Sequence, residues 1–442
     1  MPLRLWRDLL PLGHQCIQPL TDLVRGSEHP FLEFLEEGHG RAFGCLSSPS
    51  QFAPQGEGSR RETARQGHGT FPTPAAKSRL FALIDHASVA DMRDLNQSPL
   101  PMTLFALASA SPLVLFALGI WAGGLWAFAG LVYMAALVAV LDQIKGLFMG
   151  DAPDGAEFPA ADTLLVVLAL GHLVTLPMVV WAVSGDSDLS GWQRAALMLG
   201  AGLWFGQVSN PMAHELIHRG DRMLYGLGVA VYTSLLFGHH SSAHRLVHHR
   251  HAASAADPNS ARTGEGFYRF FLRAWGGSFM RGWAEENTLR ARSQAGRGLH
   301  PYAVYLGGAM LALALAFLIA GGWGVVVWAG LALHAQVQLM LSDYVQHYGL
   351  TRAPRDGGRL EPVAARHSWN APQWFSSAMM LNAPRHSDHH AHPARPYPAL
   401  RLPDATDAPH LPWPLPVACT LALFPALWKR AIRPHLAKWK AK

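Results

Sequence analysis

The 442-residue sequence predicts an all-α membrane protein: a bundle of six transmembrane helices with a histidine-rich domain on its cytoplasmic side. Three observations carry this reading. Half of the residues are hydrophobic and only 15% are charged, below the roughly 25% of an ordinary soluble domain. The hydrophobic residues gather into long runs without charge, the distribution that a bilayer selects. Finally, four histidine clusters fall at or after the cytoplasmic ends of the predicted spans.

The first hundred residues differ from the rest. They are rich in Gly, Ser, Pro and Arg and show no sustained periodicity. The opening stretch lacks the apolar core of a signal peptide, because Arg4, Arg7 and Asp8 interrupt it. Residues 45–78 read as disordered. Residues 1–100 are therefore expected to be a disordered N-terminal extension or a mis-assigned start, with Met92 or Met102 as the alternative initiator. Residues 101–442 form the membrane domain.

Apolar runs occupy residues 103–121, 125–141, 163–184, 192–209, 302–320 and 323–341. The first, 19 residues long, would extend about 28 Å as a helix, enough to cross the hydrocarbon core. Gly123-Gly124, the segment 184–191 and Gly321-Gly322 join them into three hairpins. The hairpin tips (122–124, 185–191 and 321–322) carry no Lys or Arg. Residues 219–297 are studded with Arg, and the tail adds Lys429, Arg430, Arg433, Lys438, Lys440 and Lys442. By the positive-inside rule the chain is a multi-pass protein of the inner (cytoplasmic) membrane. Both termini and the segments 211–300 and 343–442 then face the cytoplasm. The tail from Leu415 is too broken by Pro and charge to span and reads as an interfacial helix. The basic residues flank apolar runs, so they report topology and contact with membrane lipid, with no nucleic-acid partner. Cys16, Cys45 and Cys419 form no CxxC pair, which argues against a disulfide framework or a zinc ribbon.

The clusters are His214-Glu215-Leu216-Ile217-His218; His244, His248 and His249; His347 within Asp343-Tyr344-Val345-Gln346-His347; and His386, His389 and His390. Residues three or four apart share a helix face. His214 and His218 can therefore reach one metal, as can His244 with His248, or His386 with His389 or His390. Adjacent histidines point about 100° apart, so each adjacent pair can serve two metals. Nine imidazoles exceed the roughly four to six ligands that one ion accepts, and two ions are the economical reading. Each cluster alone has a blander explanation: a chance HExxH, a polar residue at the membrane boundary, or a solvated basic face. Four on one side of the membrane make that coincidence poor. Glu215, Asp343, Asp388 and Glu265 are the candidates to orient the imidazoles, with His239 and His240 as supporting partners. His172 and His334 lie inside spans, where hydrogen bonding to a neighbouring helix is the favoured reading over a functional one. An intramembrane zinc protease would use only HExxH and leave three clusters idle. A transporter would want ligands near the midplane.

The motifs HELIHR, HRLVHH, DYVQHYGL and LNAPRHSDHHAHPARPY, with EPVAARHSWN between the last two, resemble the membrane alkane 1-monooxygenase family. That family includes the xylene monooxygenases and is related to fatty-acid desaturases and hydroxylases. The resemblance spans residues 100–435. It implies a six-span bundle with a non-haem di-iron centre held by His214, His218, His244, His248, His249, His347, His386, His389 and His390. It also implies O2 as co-substrate, with electrons passing from NAD(P)H through a reductase and a rubredoxin or ferredoxin. Without a CxxC this chain needs that carrier as a separate protein, and the basic face could dock it. The implied reaction converts the terminal methyl of an alkane or similar apolar molecule to a primary alcohol. Alkyl-aromatic methyl hydroxylation and fatty-acyl desaturation or hydroxylation are the alternatives. Ala243 and Val247 stand where the family usually has Glu and Gly, and Asp343 where Asn is common; the histidines are intact. An unactivated C–H bond offers no acidic proton and no leaving group, so such chemistry needs a metal and O2. A channel between the spans would bring the substrate from the bilayer, with Trp126, Phe128 and Trp204 as candidate lining.

Overall fold

A computed structural model describes residues 98–144, 147–148, 150–292 and 298–441. The expectation of a disordered or mis-assigned N-terminal segment falls on residues outside the described ones. All six apolar runs are helical. Helix α1 is Met102–Ala122, α2 is Trp126–Leu141 and α3 is Ala160–Ser184. Helix α4 starts as Gly191–Trp204, widens into a π turn at Phe205–Ser209 and ends as Asn210–Ile217. Helix α5 is Arg222–Ser234. Helix α6 runs through His240–Ala243, a π turn at His244–His248, and His249–His251. Helix α7 is Phe267–Arg292 and α8 is Pro301–His347. Four short helices close the chain: α9 (Trp374–Met379), α10 (His386–Ala391), α11 (Leu415–Ala422) and α12 (Pro425–Lys440). Among the described residues, β structure is limited to two isolated bridges.

The glycine pairs make the hairpins. Gly123 and Gly124 both take positive φ between α1 and α2, a conformation that costs other residues. Within α8, Ala320 and Gly321 leave helical geometry, and Gly321 has φ 59 and ψ -149. A Cβ on Gly324 would lie 2.2 Å from the carbonyl oxygen of Ala316. Eight residues along a straight helix would separate the two by about 12 Å. The two arms of α8 therefore double back on each other. At the third tip, between α3 and α4, the Arg194 guanidinium donates to the carbonyls of Val183, Gly185, Ser187 and Leu189, so that one side chain gathers the loop.

By length and composition α1, α3 and α8 can each cross a membrane, and α2 is a shorter apolar helix. Their outer faces stay apolar: Leu311 is 72% and Leu318 81% exposed, and Leu107, Val140, Val174 and Leu333 are also exposed. In water so much bare aliphatic surface would drive association; in lipid it is the contact surface. This is a membrane protein. Inside, His172 of α3 bonds Ser209 Oγ of α4 at 2.9 Å and Ser234 Oγ of α5 at 2.8 Å, the interhelical role expected of it.

The tail forms two helices broken at Leu423–Phe424. On α12, Trp428, Ile432 and Leu436 recur every fourth residue and are buried. Trp428 packs on Tyr344 and Tyr348 at the end of α8, with ring centroids 6.1 and 5.5 Å apart. The apolar stripe that reads in sequence as an interfacial face thus covers the protein's own aromatic ledge.

Candidate metal centre

The nine histidines come from four elements that end at one place: the end of α4, all of α6, the last residue of α8, and α10. They fall into two groups. His214, His218, His244, His249 and His389 converge in one, and His248, His347, His386 and His390 in the other. Adjacent histidines divide between them, His248 from His249 and His389 from His390, as side chains about 100° apart must. One pairing differs from the sequence reading. An α-helix would put His244 beside His248, but residues 244–248 form a π turn. With a wider turn, i and i+5 come to share a face. His244 therefore meets His249, with ring centroids 4.5 Å apart, and His248 turns to the other group.

The ring nitrogens point inward. Nε2 of His214 lies 2.7 Å from Nε2 of His244, and Nε2 of His249 lies 2.9, 3.1 and 3.2 Å from those of His244, His389 and His218. In the second group, Nε2 of His386 is 3.0 Å from those of His347 and His390. Two ligands at right angles, each about 2.1 Å from a shared ion, sit about 3.0 Å apart. Protons alone do not account for such convergence, because a neutral imidazole has one donor. Nε2 of His248 is buried without a partner, while its ring faces those of His347 and His390. The donor set thus fits two metal ions.

Electrostatics favour the neutral, ligand-competent rings. Burial pushes His214 and His347 down to about 3, and His218, His244, His249, His386, His389 and His390 well below the usual range. His248 is the exception: burial opposes its charge, but the Asp257 carboxylate, 2.8 Å from Nδ1, outweighs burial and holds it above the usual value. Asp257 also accepts from Ser260 Oγ and from the Asn259 backbone N–H.

The carboxylates singled out by sequence are turned elsewhere. Glu215 accepts the Tyr397 N–H and faces Arg219, and burial raises it to about 7 against that arginine's pull. Asp388 accepts from His392, Arg395 and the Arg401 N–H. Glu265 pairs with Arg273. Asp343 accepts from Asn259 Nδ2 at 2.6 Å, and burial raises it to about 6. His239 meets Ser278, and His240 packs 5.1 Å from the ring of His244. The hydrogen-bond and ion-pair partners of all four carboxylates thus lie outside the nine imidazoles, although Asp343 is close enough to His248 for its charge to act on that ring. A residue next to a ligand histidine on a helix is rotated about 100° off the metal face, which is how Glu215 and Asp388 come to point away. A zinc-protease reading loses its general base because the Tyr397 N–H and Arg219 already engage Glu215. Asp257 was legible only as a carboxylate in the Asp-Pro-Asn-Ser turn after the second cluster.

An apolar cavity of about 690 Å³ ends on His214 and His244 of one group and His386 of the other. Its walls are mostly aliphatic, among them Met134 and Val138 of α2, Leu203 of α4, and Val337 and Leu341 of α8, closed by α11 and Leu427 of α12. Trp126, Phe128 and Trp204 do not line it. Trp126 is half-exposed on the outer surface, and Trp204 is fully buried, donating to the Ser109 carbonyl at 2.8 Å. Aromatic rings on spans serve here as anchor and packing.

Residues 190–414 match the fatty acid desaturase family model. The chain is 31% identical over 361 residues to an alkane 1-monooxygenase of Ectopseudomonas oleovorans, covering 76% of this chain and 85% of that one. It is 30% identical over 324 residues to alkane 1-monooxygenase 1 of Pseudomonas aeruginosa, covering 72% and 84%. Alkane 1-monooxygenase 1 of Alcanivorax borkumensis is 29% identical over 357 residues, covering 76% and 84%.

Proposed function

The chain belongs to the alkane 1-monooxygenase family, and from that premise we propose that it hydroxylates the terminal methyl of an alkane or similar apolar chain to a primary alcohol. The observation that carries this is the apolar cavity ending on histidines of both groups. His214, His218, His244, His249 and His389 would hold one iron, and His248, His347, His386 and His390 the other. The bound irons supply the oxygen-activating chemistry that an unreactive C–H bond requires, with O2 as co-substrate.

The chain's own residues do the rest. Aliphatic walls take the hydrocarbon out of lipid, exclude water and present a chain end to the ligand histidines. The aliphatic lining favours an alkane over a xylene-type ring, which would gain from aromatic partners. Asp257 fixes the orientation of His248 through Nδ1. Six spans in three hairpins, with the metal groups and both termini on the cytoplasmic side of the inner membrane, follow from the concentration of Arg and Lys in residues 211–300 and 343–442, against the single Arg194 that reaches a hairpin tip. Electrons from NAD(P)H would arrive through a reductase and a separate rubredoxin or ferredoxin docked on the basic face.

The test is gas chromatography of membranes containing the chain, supplied with NADH, reductase and rubredoxin, and with octane, hexadecane or p-xylene. A primary alcohol from an alkane, absent in His386→Ala, is the expected result. Product from p-xylene alone would move the substrate to the alkyl-aromatic class, and no product from a protein holding two irons would remove the assignment.

A further inference from the structure

The two intramembrane histidines do not behave alike. His172 bonds a serine through each ring nitrogen. The His334 ring makes no hydrogen bond with any described residue, and it lines the cavity. This departs from the interhelical bond expected of it in sequence. The helices are built to admit it: a Cβ on Gly202 would fall 2.0 Å from Nδ1 of His334, and one on Gly206 would fall 2.1 Å from the Gln338 amide. Two glycines a turn apart on α4 thus make room for two polar side chains a turn apart on α8. Gln338 Nε2 donates to the Gly202 carbonyl at 2.8 Å, so its Oε1 is the atom that accepts from Gln207 Nε2 at 3.3 Å. That orientation leaves Oε1 of Gln207 buried and without a partner.

Such a recess is unnecessary for a plain hydrocarbon, and unmet polar groups beside one are costly. We propose that the end of the cavity remote from the metal groups, formed by His334, Gln207 and Gln338, binds a neutral hydroxyl at the far end of the substrate chain. A hydroxyl can donate to an acceptor such as Gln207 Oε1 and exchange a second hydrogen bond with the imidazole. No Lys or Arg is among the described residues that line the cavity, so a carboxylate would find no countercharge there. From Gln207 to His214 on α4, and from His334 to His347 on α8, the helical rise is about 10 and about 20 Å. A chain on the order of ten carbons would place its methyl at the histidines.

The inference rests on the hydroxylase reading and specifies its substrate as a medium-chain alcohol, oxidised at the opposite end. HO–(CH2)9–CH3 with O2, two electrons from the reduced carrier and two protons gives HO–(CH2)9–CH2OH and water. One C–H bond is replaced by C–O, one O–O bond is cleaved, and the second oxygen leaves as water.

Two measurements on the full chain in lipid discs test it. Retention of radiolabelled 1-decanol and decane, corrected for empty discs, should favour the alcohol by about fivefold to thirtyfold, the worth of one or two neutral hydrogen bonds. The preference should vanish in His334→Leu and persist in His334→Gln, which keeps a donor and an acceptor; Gln207→Leu repeats the test should His334→Leu not fold. Turnover with reductase and rubredoxin should then yield 1,10-decanediol from 1-decanol faster than 1-decanol from decane. Equal retention of the two ligands, or a preference unchanged in both leucine variants, overturns the recess. A recess-dependent binding preference without turnover of either molecule leaves the recess standing and counts against the hydroxylase reading instead.

Discussion

Replacing Asp257 by Asn separates the two metal groups. The carboxylate is 1% exposed and accepts three hydrogen bonds: from His248 Nδ1 and Ser260 Oγ on Oδ2, at 2.8 and 2.7 Å, and from the Asn259 N–H on Oδ1, at 3.0 Å. An amide has one carbonyl oxygen, so whichever way it sits its NH2 opposes at least one of these buried donors. The charge that supports the His248 ring is lost as well. A buried hydrogen bond to a charged group is worth about 1.5–3 kcal/mol, which agrees with the roughly 10- to 100-fold loss of metal affinity usual when the outer partner of a ligand histidine is removed. Only the group of His248, His347, His386 and His390 should weaken, because His248 is the ligand that Asp257 bonds. The assay is iron retained per chain as a competing chelator is raised, on protein reconstituted in lipid discs. One of two binding phases should move and the other stay. Two unmoved phases, or two phases moved by the same factor, would refute the reasoning.

Other consequences are open to simpler measurements. Gly324→Ala should lower the unfolding temperature or abolish folded protein, because the new methyl meets the Ala316 backbone, while Gly322→Ala, with open space around it, should be tolerated there. Leu203→Trp should shorten the longest alkane oxidised, because Leu203 lines the cavity; Trp126→Ala, remote from it, should leave the product distribution as it was. In the metal-free protein, burial holds His214 and His347 near 3 against an ordinary 6.5. The unfolded chain therefore binds more protons below pH 6.5, and stability should fall as pH drops from there toward 3. Thermal unfolding at pH 7 and 5 reads this directly, and an unchanged midpoint would contradict it.

Much of this molecule was legible from residue order, because the signals are local. Apolar runs of 17 to 22 residues mark helices whatever they pack against, and paired glycines mark two of their reversals. His214 with His218, and His386 with His390, fall on common faces because four residues are close to one helical turn. Other features depended on information that no local pattern holds. The π turn moves His248 from one group to the other by widening a single turn, and nothing in HRLVHH marks it. Asp257 reaches His248 only because a turn nine residues later folds back, whereas the adjacent Glu215 and Asp388 are carried outward by the helical rotation that carries the ligands inward. The cavity wall is drawn from α2, α4, α8, α11 and α12, so its lining was invisible until those helices were assembled. By itself the sequence determined the helices, their hairpins and the set of nine imidazoles, since periodicity and spacing are properties of the chain. Tertiary structure decided which group each imidazole joins, which carboxylate supports it and which side chains line the cavity, since those are contacts between segments far apart in sequence.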